Sequence, residues 1–367
     1  MKTINLLLFN IVRRIFRKPL ERDRTLSIRL IGSQEIEVYT ERIKWYLPGI
    51  EFTLHSNKIK NADIVFVADI NAINYSNFLL NAHKTYIVDP NFYSNTEVSN
   101  WVSAYFNILA KEEKDKYAKL SQDNFKKFLS VYNSYENAYL FGSGPSIEKY
   151  NQHIYKENSI RIICNSLIKN KKFIDFINPT AIVAADPLFH FGHSKYAKKF
   201  RNDLIDTIKK YNCTLFVPQF NLPMFLKHYP QLKQNIIGLN FQTSINIPNR
   251  KNVSVKGTEN IFTLMMLPIA CSIAKHIFVI GMDGKDPSKK NDYFWEHHGE
   301  FQYVDLMEET QKLHNSFFRD RDYIHYFENH CNEVNLLIEY IESQNKTVIT
   351  LEKSNIPAFQ SRISINS

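Results

Sequence analysis

Short apolar runs that stop at a polar residue or a glycine recur along this chain, and they limit its fold more than any other feature. In the second half they occupy 138–141, 160–164, 181–185, 214–217, 235–238, 277–280 and 347–350. Each is too short for a helix and too apolar for a half-exposed strand, so each reads as a strand buried on both faces. Helical segments near 195–211, 259–275, 304–318 and 331–343 separate several of them. Strands alternating with helices specify an α/β class, a mostly parallel sheet with helices on both faces. The first third repeats the theme on a smaller scale. Runs at 26–32, 50–54, 62–68 and 85–90 read as strands, the last stopped by Pro90. A lysine- and glutamate-rich helical stretch from about 97 to 134 reads as a connector. At about 100–200 residues per domain, 367 residues suggest two. The expected division is an amphipathic basic helix over 1–20, a smaller N-terminal α/β domain with its connector over 21–135, and a catalytic domain over 136–367.

In sheets of this kind ligands bind beyond the carboxyl ends of the strands, so the residues just after each run carry the functional reading. Glycine is informative there, with 10 in 367 residues against a usual share of about 7%. The 3 Trp, 20 Tyr and 27 Phe exclude a disordered or collagen-like chain. A net charge of +9 points to an anionic partner. The lysines are scattered and no nucleic-acid motif occurs, so nucleic acid is not the expected partner. The four cysteines form no C-x-x-C pair, which argues against a zinc site or disulfide framework and fits a reducing cytoplasm. At the N-terminus an apolar stretch over 4–12 precedes Arg13, Arg14, Arg17, Lys18 and Pro19. It is shorter than the about 20 residues that span a bilayer. It reads either as an interfacial helix on an anionic membrane or as a helix packed on the body.

Five constellations could carry chemistry. Gly142-Ser143-Gly144-Pro145-Ser146 follows a strand, where two glycines permit close backbone approach and Pro145 presets a helical turn whose N–H groups suit a phosphate. It is neither the dinucleotide fingerprint nor a P-loop, and a ligand-free turn is the other reading. Asn165-Ser166 and Asp186-Pro187 follow the next two strands and could hydrogen-bond a base or ribose, although both are common turn formers. Gly257-Thr258-Glu259 opens a long apolar helix, with Thr258 also a plausible cap, and that helix leads to a strand ending Gly281-Met282-Asp283-Gly284. Tyr293, His297 and His298 lie in an aromatic loop, and His325, His330 and Glu333 near the start of the last helix. No third ligand stands at matching spacing, so no metal is expected, whereas a histidine beside a nucleotide pocket is a credible general base.

Taken together, Gly-x-Gly-Pro-Ser after a strand, Cys164-Asn165 after the second, the Gly257-Thr258 helix, the strand ending Gly281-Met282-Asp283, and Asn329-His330 before an amphipathic helix and a last strand at 347–351 resemble a known bacterial family. The layout is similar to the sialyltransferases of lipooligosaccharide synthesis and to the related motility-accessory-factor proteins linked to flagellin glycosylation. The resemblance covers about 136–355 and leaves 1–135 aside. It implies a Rossmann-like domain that uses a CMP-activated nonulosonic acid without a metal or other cofactor. The glycine turn and Asn165 would hold the nucleotide, with Thr258 near the donor. His330 would take the proton from the acceptor hydroxyl. Tyr293 and Tyr303 would bind the leaving phosphate. The turn carries Ser143 where the family favours Asn, and His297 and His298 compete with His330 as the base.

The expected function is therefore an inverting, metal-independent glycosyltransferase at the cytoplasmic face of an anionic membrane. It would pass a sialic-acid-like sugar from its nucleotide-sugar donor to a glycan or glycolipid acceptor of lipooligosaccharide or capsule. Self-association is left open. Two other classes stay beside it. One is a Mg²⁺-dependent phosphotransferase like the pterin pyrophosphokinases, and the other a non-enzymatic Rossmann-like assembly protein. Asp320 and Asp322 around Arg321 have the spacing of a metal-binding pair but read as a solvated ion-pair cluster.

Overall fold

The apolar runs form strands, and each pairing among the described residues is parallel. The computed structural model describes residues 25–56, 61–73, 81–92, 97–286 and 299–363. The smaller sheet contains β1 (Leu26–Ile31), β2 (Phe52–His55), β3 (Ile64–Val67) and β4 (Thr85–Ile87), in the order β2-β1-β3-β4. The larger contains β5 (Asn137–Phe141), β6 (Ser159–Cys164), β7 (Ala181–Val183), β8 (Thr214–Pro218), β9 (Ile236–Gln242), β10 (Ser254–Lys256), β11 (His276–Ile280) and β12 (Thr347–Thr350). Its order is β10-β9-β8-β7-β6-β5-β11-β12. The fold is α/β and consistent with a Rossmann-like arrangement. Central strands are buried along their whole length, as β5 and β7 show, because helices cover both faces.

From β5 the chain steps outward through β6 to β10 and then returns to lay β11 on the other side of β5. That reversal opens a crevice beyond the carboxyl ends of β5 and β11, the place where open α/β sheets bind ligands.

Several elements differ from the sequence reading. The stretch read as a connector breaks into two helices, Glu97–Ile108 and Lys111–Val131. The first packs on the small sheet through Trp101, stacked on Phe66 and Tyr46 at 5.0 and 5.1 Å. The second is part of the large sheet's cover. Asn124 Nδ2 donates to the carbonyls of Lys233 and Ile236, and Phe125 and Phe128 pack edge-on against Phe216 of β8. The helix expected over 259–275 begins as a π-helical turn, Phe262–Met266, before Leu267–Cys271. Pro268 has no N–H to donate back along the helix, and the wider turn absorbs the missing bond. The helix expected over 304–318 is two, Met307–Lys312 and Asn315–Asp320. The last helix begins at Tyr323, because Asp322 accepts from the N–H groups of Ile324 and His325.

The two sheets share one apolar core. Trp45, on the helix Ile36–Tyr46, is one tie between them. Its Nε1 donates to the Phe191 carbonyl at 2.8 Å, His228 stacks on it at 3.9 Å, and the Arg201 guanidinium lies 4.1 Å from its ring centroid. The N-terminal 1–20 segment lies outside the described residues, among which no helix is long and apolar enough to cross a membrane.

Candidate functional site

A cavity of about 520 Å³ occupies the crevice at the reversal point. Its floor is the series of strand ends, and its far wall comes from the segment 314–330. Ser143, Gly144, Pro145, Asn165, Ser166, Asp186, Thr258, Glu259, Gly281, Asp283 and His330 all line it. The chain brings these together from the ends of β5, β6, β7, β10 and β11 and from the last helix. Gly142, Ser146, Gly257 and Tyr303 do not line it. Tyr293, His297 and His298 lie outside the described residues.

The glycine turn corrects the sequence reading. Its N–H groups were expected to face a phosphate, yet most are taken by the protein itself. Gly142 donates to the Ile280 carbonyl at 2.8 Å and Gly144 to that of Gly281 at 2.9 Å. Ser146 N–H donates to both Asp283 oxygens, at 3.1 and 3.2 Å, and its hydroxyl donates to Oδ2 at 2.9 Å. The hydroxyl in turn accepts from Gly281 N–H at 3.0 Å. The anion seated at the start of the 3₁₀ turn Pro145–Gln152 is thus Asp283, whose carboxyl is pushed above its usual range chiefly by burial. A Cβ on Gly142 would collide with the Gly281 carbonyl, and one on Gly281 with that of Gly142. These glycines exist because two strand ends meet there, and Gly281 also holds a φ of +75°. Gly257 is uncrowded, since a Cβ there would meet only ordinary van der Waals neighbours, the nearest at 3.7 Å.

At the neighbouring strand ends, Asn165 adopts a left-handed φ of 49°. Its Oδ1 is buried with no hydrogen-bond partner among the described residues, so it can accept from a ligand. Asp186 Oδ1 accepts from the N–H groups of Leu188 and Phe189, both at 2.7 Å, which is its turn-forming role. Thr258 is not the helix cap, since Asn260 Oδ1 accepts from Phe262 N–H, and its hydroxyl lies 2.9 Å from that of Thr263.

Three buried histidines, His190, His314 and His330, line the cavity. His330 is 5% exposed, and burial lowers its pKa to about 4, so it is neutral near pH 7. His190 is likewise lowered to about 4 by burial, and its Nδ1 accepts from Asp186 N–H at 3.1 Å, which leaves the proton on Nε2. Sequence reasoning missed His190 because it follows a Pro-Leu-Phe stretch that reads as apolar filling. Tyr303 is removed from the proposed phosphate contacts. It is buried outside the cavity, with its hydroxyl donating to Asp203 at 2.8 Å. His325 is exposed and faces Asn329, while Glu333 pairs with Lys256 at 2.8 Å.

The most consequential residue missed is Arg321. It is not part of a solvated cluster, since its side chain is 8% exposed and lines the cavity. Its guanidinium lies 3.6 Å from the ring centroid of Tyr326 and 4.4 Å from that of Phe317, and Nη2 donates to Glu259. Its neighbours do behave as read, with Asp320 paired to Arg319 at the surface and Asp322 capping the helix. Phe317, Arg321 and Tyr326 stand at near-helical spacing, the one signal in the sequence that could have marked this cluster. Among the described residues no group of three His, Cys, Asp or Glu side chains is placed to hold a metal. Compared with protein-family models, with curated proteins and with solved structures, the chain finds no match.

Proposed function

We propose that the chain is a glycosyltransferase that transfers a sialic-acid-like or other nonulosonic sugar from a CMP-activated donor to a surface glycan, with inversion. The observation that supports it most is a cavity, at the reversal point of a parallel sheet, where polar groups from five strand ends converge with buried His330, which is neutral near pH 7. Asn165, with its unpartnered Oδ1, suits a donor group of the cytosine or ribose. His330, as a neutral imidazole, can accept a proton from an acceptor hydroxyl as it attacks the anomeric carbon. An anionic donor beside His330 would raise its pKa. CMP leaves as a monophosphate and needs only hydrogen bonds or a cation, so a divalent ion is not required by this chemistry. The glycine turn contributes shape, while its N–H groups serve Asp283.

The test is a thermal-shift screen of CMP, UDP, GDP and ATP, each with and without Mg²⁺, followed by hydrolysis assays with CMP-sialic acid and CMP-Kdo. CMP should stabilise the protein without metal. His330→Ala should keep CMP binding while transfer or donor hydrolysis falls by about 10²–10⁴. Stabilisation by ATP alone, strictly with Mg²⁺, would replace this reading with the phosphotransferase class. Absence of both CMP binding and donor hydrolysis would overturn it.

A further inference from the structure

We propose that Arg321 is the anion-binding residue of the cavity and that Glu259, its partner in the structure, is displaced from it by the phosphate or carboxylate of the ligand. The choice of CMP as first probe rests on the reading above, while the role of Arg321 rests on geometry alone. Among the described lining residues Arg321 is the sole lysine or arginine, in a cavity that also holds the carboxylates of Asp186, Glu259 and Asp283. Among the described residues, an anion entering the cavity therefore meets one guanidinium.

That guanidinium is held ready. Tyr326 and Phe317 fix its position, so little rotamer freedom is lost on binding. At 8% exposure it is a desolvated cation, and such a charge needs an anion beside it. Glu259 is that anion in the structure. The two partners are unequal, since Glu259 is 49% exposed and regains water when released. A ligand oxygen can thus replace Glu259 without stranding either charge. A planar guanidinium matches phosphate and carboxylate alike, with charge-assisted hydrogen bonds stronger than neutral ones.

Calorimetric titration of the full chain with CMP, UMP, AMP, inorganic phosphate, N-acetylneuraminic acid and uncharged cytidine tests this. Arg321→Ala should weaken the anionic probes by about 10-fold or more and leave cytidine unchanged. Arg321→Lys should recover part of the loss, and the thermal midpoint of each variant checks folding. Loss for CMP but not for N-acetylneuraminic acid assigns phosphate to Arg321, and the converse assigns carboxylate. Glu259→Gln should tighten the same probes several-fold in the native background and do nothing in Arg321→Ala, because the competitor acts only through the arginine. If Arg321→Ala binds CMP as the native protein does, Arg321 is excluded while the CMP reading stands. If AMP or UMP binds through Arg321 and CMP does not, the CMP reading falls and the anion site stands. If no anionic probe binds the native protein, both fall.

Discussion

An alanine at Gly281 would meet two obstacles at once, a φ of +75° and the carbonyl of Gly142 with backbone on both sides of the contact. Gly281→Ala is expected to destabilise the protein by about 2–3 kcal/mol. Gly257→Ala, whose Cβ would meet only ordinary van der Waals contacts, should stay within about 0.5 kcal/mol. Chemical denaturation of the two variants without ligand checks the contrast, and equal losses would contradict it. His330 provides a second residue-scale prediction. Its folded pKa of about 4 lies below the ordinary histidine value, so the unfolded chain binds the extra proton first. The stability it confers is complete above about pH 6.5 and is lost as pH falls toward 4. Between pH 7 and pH 4 the native protein should lose about 3 kcal/mol relative to His330→Gln. Parallel pH–stability curves would refute the buried neutral state. The glycine scarcity marked where the chain is crowded, but not what crowds it. Arg321 was illegible for a related reason. Between two aspartates it reads as solvated, and its partner Glu259 is 62 positions away.

Elements were legible wherever burial covers a whole strand. The expected strands form with ends shifted by a few residues, since four or five consecutive apolar residues allow no other place in a layered sheet. β10 was missed because its three residues, Ser254–Lys256, carry one aliphatic side chain and sit at the sheet edge. The helix Ile36–Tyr46 was missed because it buries only Tyr39, Ile43 and Tyr46, a sparse stripe. The last helix was placed too late because its start depends on the Asp322 cap rather than on its apolar face. Asp322→Ala should lower stability by about 1 kcal/mol. Since Tyr326 and His330 sit in the first turns after that cap, hydrogen exchange should rise over 323–330 and leave 334–341 protected. Uniform exchange along the helix would show that the cap does not set its start.

For the molecule as a whole, the part of the chain that carries the small sheet supports the wall of the cavity. Ser316 N–H donates to the Pro90 carbonyl at 2.8 Å and Asn315 Nδ2 to Asn91 Oδ1 at 2.9 Å, so the loop after β4 holds the helix that leads into Arg321. Ser99 of the helix Glu97–Ile108 also lines the cavity. Trp45→Ala removes the stacked His228 and Arg201 contacts and should cost about 2–3 kcal/mol. Exchange should then rise through 26–55 and 315–321 together, with β5 to β9 unaffected. A rise confined to the helix Ile36–Tyr46 would mean that the two sheets are not coupled through this tie.

Strand content, α/β class and the location of a cavity beyond strand ends follow from the chain's own pattern, because strands buried on both faces must be apolar along their length and polar where they emerge. The use of each site residue does not follow from it. Asp283 reaches Ser146 across 137 positions, and the closing of two glycine turns on each other depends on β11 returning beside β5. Such contacts leave no local periodicity, since they join residues whose separation is set by how the sheet is wound. Packing therefore decided that the glycine turn serves a carboxylate of the protein, and that an arginine between two aspartates faces the cavity.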